Sequence, residues 1–176
     1  SSAEHSLHTT ARHSGLAFYG LTNTTAAEDA ARRLAEHGAC GTFFVTLSEL
    51  TANPTTIEAI LESGNELGIY YRVTADYPQT FRAVASYLSS WKAYAQWRYG
   101  MASQCVFLRV DTVEEETLEA IHASGCHVTV GSIQPLKKLD KDIQEVAAEQ
   151  LEALGTLRIQ RGAFVFFDLN YFSADA

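Results

Sequence analysis

The stretch GTFFVTLSELTANPTTIEAILESGNELGIYYR, residues 41–72, sets the architecture of the chain. Its opening run Thr42-Phe43-Phe44-Val45 is apolar, β-branched and aromatic, and too short for a helix. That is the composition of a strand buried on both faces. A helix follows whose limits are legible. Asn53 can accept from the first free backbone N–H groups, Pro54 suits the first helical position, and Gly64 can take the left-handed conformation that ends the helix. Ile57, Ile60 and Leu61 then share one face. Leu67 to Tyr71 is a second apolar run, so the unit reads strand, helix, strand, with a crossover long enough for parallel pairing.

The same alternation extends in both directions. Upstream, residues 16–19 read as a strand, followed by a helix that starts at Thr25, with Glu28 reaching back in a capping box, and ends before Gly38. Downstream, Pro78 opens a long helix in which Phe81, Val84, Ala85, Leu88, Trp91 and Ala95 recur at helical spacing. A strand over 105–109 follows. Thr112 and Glu115 spell a second capping box for a helix that stops at Gly125, and 127–131 is the next strand. Asp140 caps a helix running to Gly155, and residues 163–167 form a final strand. An α/β fold with a parallel, helix-covered sheet follows from this order. Periodicity leaves ring and open sheet equally open.

A chain of 176 residues is long enough for one well-filled core and short for two. Residues 15–176 are expected to form a single domain. Residues 1–14, SSAEHSLHTTARHS, show no period; His5, His8 and His13 share no face, so this segment reads as a flexible polar arm. With 47% hydrophobic and 19% charged residues the composition is globular. No apolar stretch could span a bilayer and no basic-then-apolar leader opens the chain, which reads as a mature or trimmed form. The formal net charge of −8 is spread along the chain, which disfavours nucleic acid and anionic membranes. Cys40, Cys105 and Cys126 cannot all pair. They read as free buried thiols, with a single disulfide as the alternative.

The run from Gly41 to Gly68 resembles the heart of the NodB-homology polysaccharide deacetylases, the carbohydrate esterase family 4 type. There an ATFFV strand, an NP…I..I…GHELG helix and a His-bearing strand end succeed one another. The matching residues are Gly41 to Val45, Asn53-Pro54, Ile57, Ile60, Gly64 and Glu66-Leu67-Gly68. Over about residues 15–169 the resemblance implies a distorted (β/α) barrel. It also implies an extracellular, periplasmic or cell-surface setting.

In α/β barrels the reactive groups stand at the carboxyl ends of strands. Family members that hydrolyse acetyl groups need a divalent metal with an open water position and a carboxylate beside it. Their first motif, TFDDG, corresponds here to Ala17-Phe18-Tyr19-Gly20-Leu21, which puts Tyr19 and Gly20 where two aspartates would be. Tyr70 and Thr74 correspond to the two histidines. The Arg-Pro-Pro-Tyr-Gly loop is replaced by Leu108-Arg109-Val110-Asp111-Thr112, and Asp168 takes the place of the histidine on the closing strand. The resemblance therefore implies a deacetylase-like domain that has lost metal-dependent hydrolysis and holds neither metal nor cofactor. Binding a polysaccharide or a protein, or a structural role, would remain. The competing reading is an active carbohydrate deacetylase with an atypical site built on Asp111, Asp168 and Arg109. His37, His122 and His127 have no metal-site spacing. Asp76 is a further acid at a strand end, and an Arg–Asp pair closing the mouth is its ordinary structural counterpart. Tyr19, Tyr70 and Tyr71 would cluster at the rim, either filling the vacated pocket or stacking on a sugar. Trp97 and Tyr99 end the long helix.

Overall fold

The computed structural model describes residues 13–133 and 163–171. Its elements are β1 (His13–Tyr19), α1 (Thr24–Glu36), β2 (Cys40–Val45), α2 (Leu47–Ala52), α3 (Pro54–Glu62), β3 (Glu66–Arg72), α4 (Phe81–Tyr99), β4 (Cys105–Arg109), α5 (Glu115–Ala123), β5 (His127–Val128), β6 (Val130–Ile133) and β7 (Ala163–Asp168), with a 3₁₀ turn at Leu169–Tyr171. Every strand pairing is parallel, in the order β5-β4-β3-β2-β1-β7-β6. Only Thr129 separates β5 from β6. The first half of this extended run is bonded to β4 and the second to β7, so the two edges of the sheet meet on it. The sheet is thereby curled into a distorted (β/α) barrel, which answers the choice between ring and open sheet.

Side chains alternate across this wall, as the two-residue period of a strand requires. Phe18, Phe43, Ile69, Tyr71, Val106 and Phe167 face outward and pack with helix residues such as Leu34, Ile60, Leu88 and Trp91. The Trp91 indole N–H donates to the carbonyl of Val45 at 2.9 Å, fixing α4 to the sheet. Ala17, Tyr19, Phe44, Tyr70, Phe107 and Phe166 face inward and make a second, separate core. Phe44 has room inside because its partner across the β2–β3 pairing is Gly68. A Cβ on Gly68 would stand 2.3 Å from Phe44 Cδ1.

Several local readings change. Residues 1–12 of the expected arm lie outside the described residues, and β1 begins at His13, inside the arm's expected limits. α1 is capped by Asn23, whose side chain accepts from Ala26 N at 3.0 Å, so Thr25 lies within the helix and not at its cap. The Thr46–Glu49 capping box starts an additional short helix, α2, between β2 and α3. Asn53 precedes Pro54 as expected, but its amide donates to the Glu49 carbonyl at the end of α2 instead of capping α3. The Thr112–Glu115 box does not form because Gln79 takes its role, accepting from Glu114 N at 2.9 Å and donating to the Thr112 carbonyl at 2.8 Å. Pro78 and Thr80 precede α4, and its first residue, Phe81, is exposed. The helix expected between Asp140 and Gly155 lies outside the described residues. Cys40, Cys105 and Cys126 form no disulfide; Cys40 and Cys126 are buried as expected, whereas Cys105 is half-buried. Among the described residues no helix is long and apolar enough to cross a membrane.

The close approach at Gly68 gives a test of the inner core. Gly68→Ala should lower unfolding stability by about 1–3 kcal/mol through overpacking. Shortening the opposing ring in Phe44→Leu/Gly68→Ala should make the two effects less than additive in denaturant titrations.

Candidate functional site

The carboxyl ends of the strands bring Tyr19, Gly20, Tyr70, Arg109 and Asp168 to one mouth. Tyr19 and Asp168 are register partners on β1 and β7. The Tyr19 and Tyr70 rings meet edge to face with centroids 5.8 Å apart, and each lies 5.1 Å from the ring of Phe107. Phe107 stacks in turn on Phe166 at 4.3 Å. Tyr19 is 3% and Tyr70 4% exposed, so the rings fill the mouth instead of lining an open groove. Contacts of this kind are each worth about 0.5–1.5 kcal/mol beyond the area they bury.

Arg109 closes the plug from above. Its guanidinium donates to the Tyr70 hydroxyl at 3.4 Å and sits 5.3 Å from the centre of the Tyr19 ring, a cation–π contact. Burial pushes the Tyr70 phenol up, partly offset by Arg109, so Tyr70 is a neutral hydroxyl at ordinary pH. Behind it, the Tyr87 hydroxyl donates to the Tyr70 carbonyl at 2.7 Å and accepts from Leu47 N at 2.8 Å. Burial likewise pushes Tyr71 up to about 12, and its hydroxyl donates to the Pro78 carbonyl.

Gly20 is the second closing device. It has φ +85°, a conformation that L side chains rarely adopt. A Cβ there would lie 2.6 Å from Asp168 Oδ1 and 2.8 Å from Asn170 Nδ2. Asp168 is buried and its Oδ1 accepts from Asn170 N at 3.0 Å, while Asn170 Oδ1 accepts from the Thr22 hydroxyl. The loops after β1 and β7 are therefore clasped together. The expected Arg–Asp pair across the mouth does not form: no ion pair within 4.0 Å joins Arg109 to Asp168, because the carboxylate turns to the Asn170 amide.

Thr74, Asp76 and Asp111 are not brought into the mouth. All are exposed on the loops that leave β3 and β4, and Thr74 Oγ1 accepts from Tyr77 N. Trp97 and Tyr99 lie at the far end of α4, on the side where β4 begins. His127 Nε2 is 3.3 Å from Cys105 Sγ at the entrance of β4, also away from the mouth. Two charged residues near the mouth went unread in the sequence. Glu49 is half-buried between the β1 and β2 loops, where its two oxygens accept from Leu21 N at 3.0 Å and Thr46 N at 2.9 Å. Arg72 ends β3 as the register partner of Arg109. The Thr46-x-x-Glu49 signature and the period-two position of Arg72 after Tyr70 were the available signals.

Comparison with solved structures places this geometry. BA3943, a CE4 family pseudoenzyme from Bacillus anthracis, superposes with a TM-score of 0.62 at 13% identity, over 88% of this chain and 54% of that one. The chain thus spans about half the length of that protein. The peptidoglycan deacetylase PdaC from Bacillus subtilis matches with a TM-score of 0.59 at 15% identity, over 87% of this chain and 86% of that one. A family 4 acetyl xylan esterase from Clostridium thermocellum, in complex with cobalt, gives 0.64 at 13% identity, over 88% and 73%. The fold is the NodB-like fold of carbohydrate esterase family 4. No family model and no curated protein sequence matches the chain.

A metal site of the CE4 type does not fit these residues. Among the described residues the carboxylate that the strand ends bring to the mouth is Asp168, which is already bonded to Asn170. The positions matched to the other family ligands hold a buried phenol at Tyr19, a glycine without room for a side chain at Gly20, a second buried phenol at Tyr70 and an exposed hydroxyl at Thr74. Arg109 adds a fixed positive charge over them. Among the described residues no group of three or more His, Cys, Asp or Glu side chains is disposed to hold a metal ion.

Tyr70→Ala should remove a packed ring and cost about 3–5 kcal/mol in equilibrium unfolding, the range for large aromatic-to-alanine changes in a core. Glu49 supplies a pH test. Burial raises its folded-state pKa above the ordinary 4.5, against the hydrogen bonds from Thr46 and Leu21, which lower it. Its contribution is then complete below the unfolded pKa and is lost as pH rises through the folded one. The stability difference between the wild type and Glu49→Gln should shift against the wild type as pH increases from about 4 to 7, measured by chemical denaturation.

Proposed function

We propose that residues 15–176 form a single NodB-like domain that keeps the CE4 scaffold without metal-dependent hydrolysis and acts as a non-catalytic binder of polysaccharide. The observation that carries this reading is the replacement of the polar site by packed aromatic rings. Deacetylation on this scaffold requires a metal-activated water and a carboxylate to take its proton. Tyr19 and Tyr70 fill that space with apolar carbon, and Gly20 sits where a side chain would strike Asp168 and Asn170. A binding role draws support from the neighbours, whose names include enzymes of peptidoglycan and xylan, and from the exposed arginines Arg72 and Arg109 at the carboxyl ends of β3 and β4.

Activity should be at background on acetylated amino-sugar oligomers, and zinc or cobalt should not be retained at stoichiometric level after dialysis. Restoring both aspartates in Tyr19→Asp/Gly20→Asp should not recover turnover. The second substitution strains a backbone at φ +85° and crowds Asp168, so this variant should unfold more easily. By contrast, a CE4 pseudoenzyme mutant of BA3943 carries restored enzymatic activity. Chelator-sensitive turnover by the wild-type chain would show instead an active deacetylase with an atypical site.

A further inference from the structure

The mouth carries a pair of like charges with no ion-pair partner among the described residues. Arg72 and Arg109 are register partners at the carboxyl ends of adjacent parallel strands, and each lies two residues beyond an inward-facing ring, Tyr70 and Phe107. Like charges directly opposite one another on neighbouring strands are destabilising. Both side chains are exposed, and Arg72 has no hydrogen-bond or ion-pair partner among the described residues. Arg109 is held in place by the Tyr70 hydroxyl and the Tyr19 ring, contacts that leave most of its five N–H donors unused. Among the described residues no acid forms an ion pair with either arginine: Asp168 acts on Arg109 only at longer range, and Glu49 is held by the backbone amides of Leu21 and Thr46. Asp168 is bonded to Asn170, and Asp76 and Asp111 are exposed on the loops that leave β3 and β4, with no ion pair to either arginine among the described residues.

A braced aromatic ring lies on the loop that follows Arg72. Tyr77 is 41% exposed, with its ring 5.2 Å from Tyr87 and 6.3 Å from Tyr71 in edge-to-face contacts. The loop that carries it is tied down by the Tyr71 hydroxyl on the Pro78 carbonyl and by Gln79 on the Thr112 carbonyl. We infer that Arg72 and Arg109 together bind the carboxylate of an acidic sugar, a uronic acid unit of a polysaccharide, whose ring rests on Tyr77. A planar carboxylate matches the guanidinium fork, and its single charge suits two arginines in a chain of net charge −8 better than a polyphosphate does. This inference rests on the reading of the domain as a polysaccharide binder and names its ligand.

The test is calorimetric titration of the full chain with galacturonate oligomers, with neutral N-acetylglucosamine oligomers of equal length, and with inorganic phosphate. Galacturonate oligomers should bind, binding should weaken with added salt, and Arg72→Ala should reduce affinity by at least about tenfold, the scale of a lost charge-assisted hydrogen bond. Because Arg72 is exposed and has no ion-pair partner among the described residues, and its removal relieves the repulsion with Arg109, that variant should unfold at or above the wild-type midpoint, so the loss would not be one of folding. Arg72→Lys keeps the charge without the fork and should recover only part of the affinity. Tyr77→Ala should weaken the oligomer and leave weak binding of phosphate unchanged. Uronate affinity unaltered by Arg72→Ala would overturn the inference, as would phosphate binding as tightly as the oligomer. Tight binding of the neutral oligomers alone would overturn it while leaving the polysaccharide reading standing. Binding of no saccharide at all would remove both.

Discussion

The packing of aromatic rings inside a ring of parallel strands is the constraint on which the structure depends. Phe44, Phe107 and Phe166 occupy the interior, with Tyr19 and Tyr70 above them. This packing is possible because Gly68 yields its side-chain volume to Phe44. Interiors are packed as densely as organic crystals, so rings at the mouth are coupled to rings below through direct contact. Tyr70 stacks on Phe107, Phe107 on Phe166, and Phe44 contacts both phenylalanines. The mouth is the top layer of the core, and its contents are decided by packing as much as by chemistry.

On the proposed non-catalytic reading, that continuity lets a scaffold of the CE4 type stand without the polar site that hydrolysis demands. A buried carboxylate is costly unless it is fully hydrogen-bonded or bound to a cation. Substituting phenols at Tyr19 and Tyr70 removes that cost, and the hydroxyl of Tyr70 is satisfied by Arg109. The acid that stands at the mouth, Asp168, is held by its bond to Asn170 and has room because Gly20 carries no side chain. Glu49 plays a related part further out, joining the loops after β1 and β2 through two backbone amides. Packing and hydrogen bonding hold together the carboxyl ends of the strands.

Much of this was legible in the sequence because it is local. The apolar runs at Thr42–Val45, Leu67–Tyr71 and Cys105–Arg109 lie in strands, and Gly64 ends α3 with φ +86°. What failed to show was either competitive or non-local. The cap of α1 went to Asn23 and the start of α5 to Gln79, a residue from another loop, because several groups compete for the same free amides. α2 was missed although Thr46 and Glu49 spell its capping box. Closure of the ring depends on the run from His127 to Ile133 pairing with strands on either side, which no periodicity encodes. Strands apolar on both faces also conceal which rings face inward. For that reason the paired Arg72 and Arg109 became visible only through register.

The central claim is that Tyr19 and Tyr70 act as one packed unit where a metal-bound water would otherwise stand. A double-mutant cycle on equilibrium unfolding, with Tyr19→Ala, Tyr70→Ala and the pair, measures this directly. Rings in edge-to-face contact under a shared arginine should show a coupling energy of about 0.5–1.5 kcal/mol or more. Two losses that are small and simply additive would mean that the rings are solvated and independent, and would contradict the account.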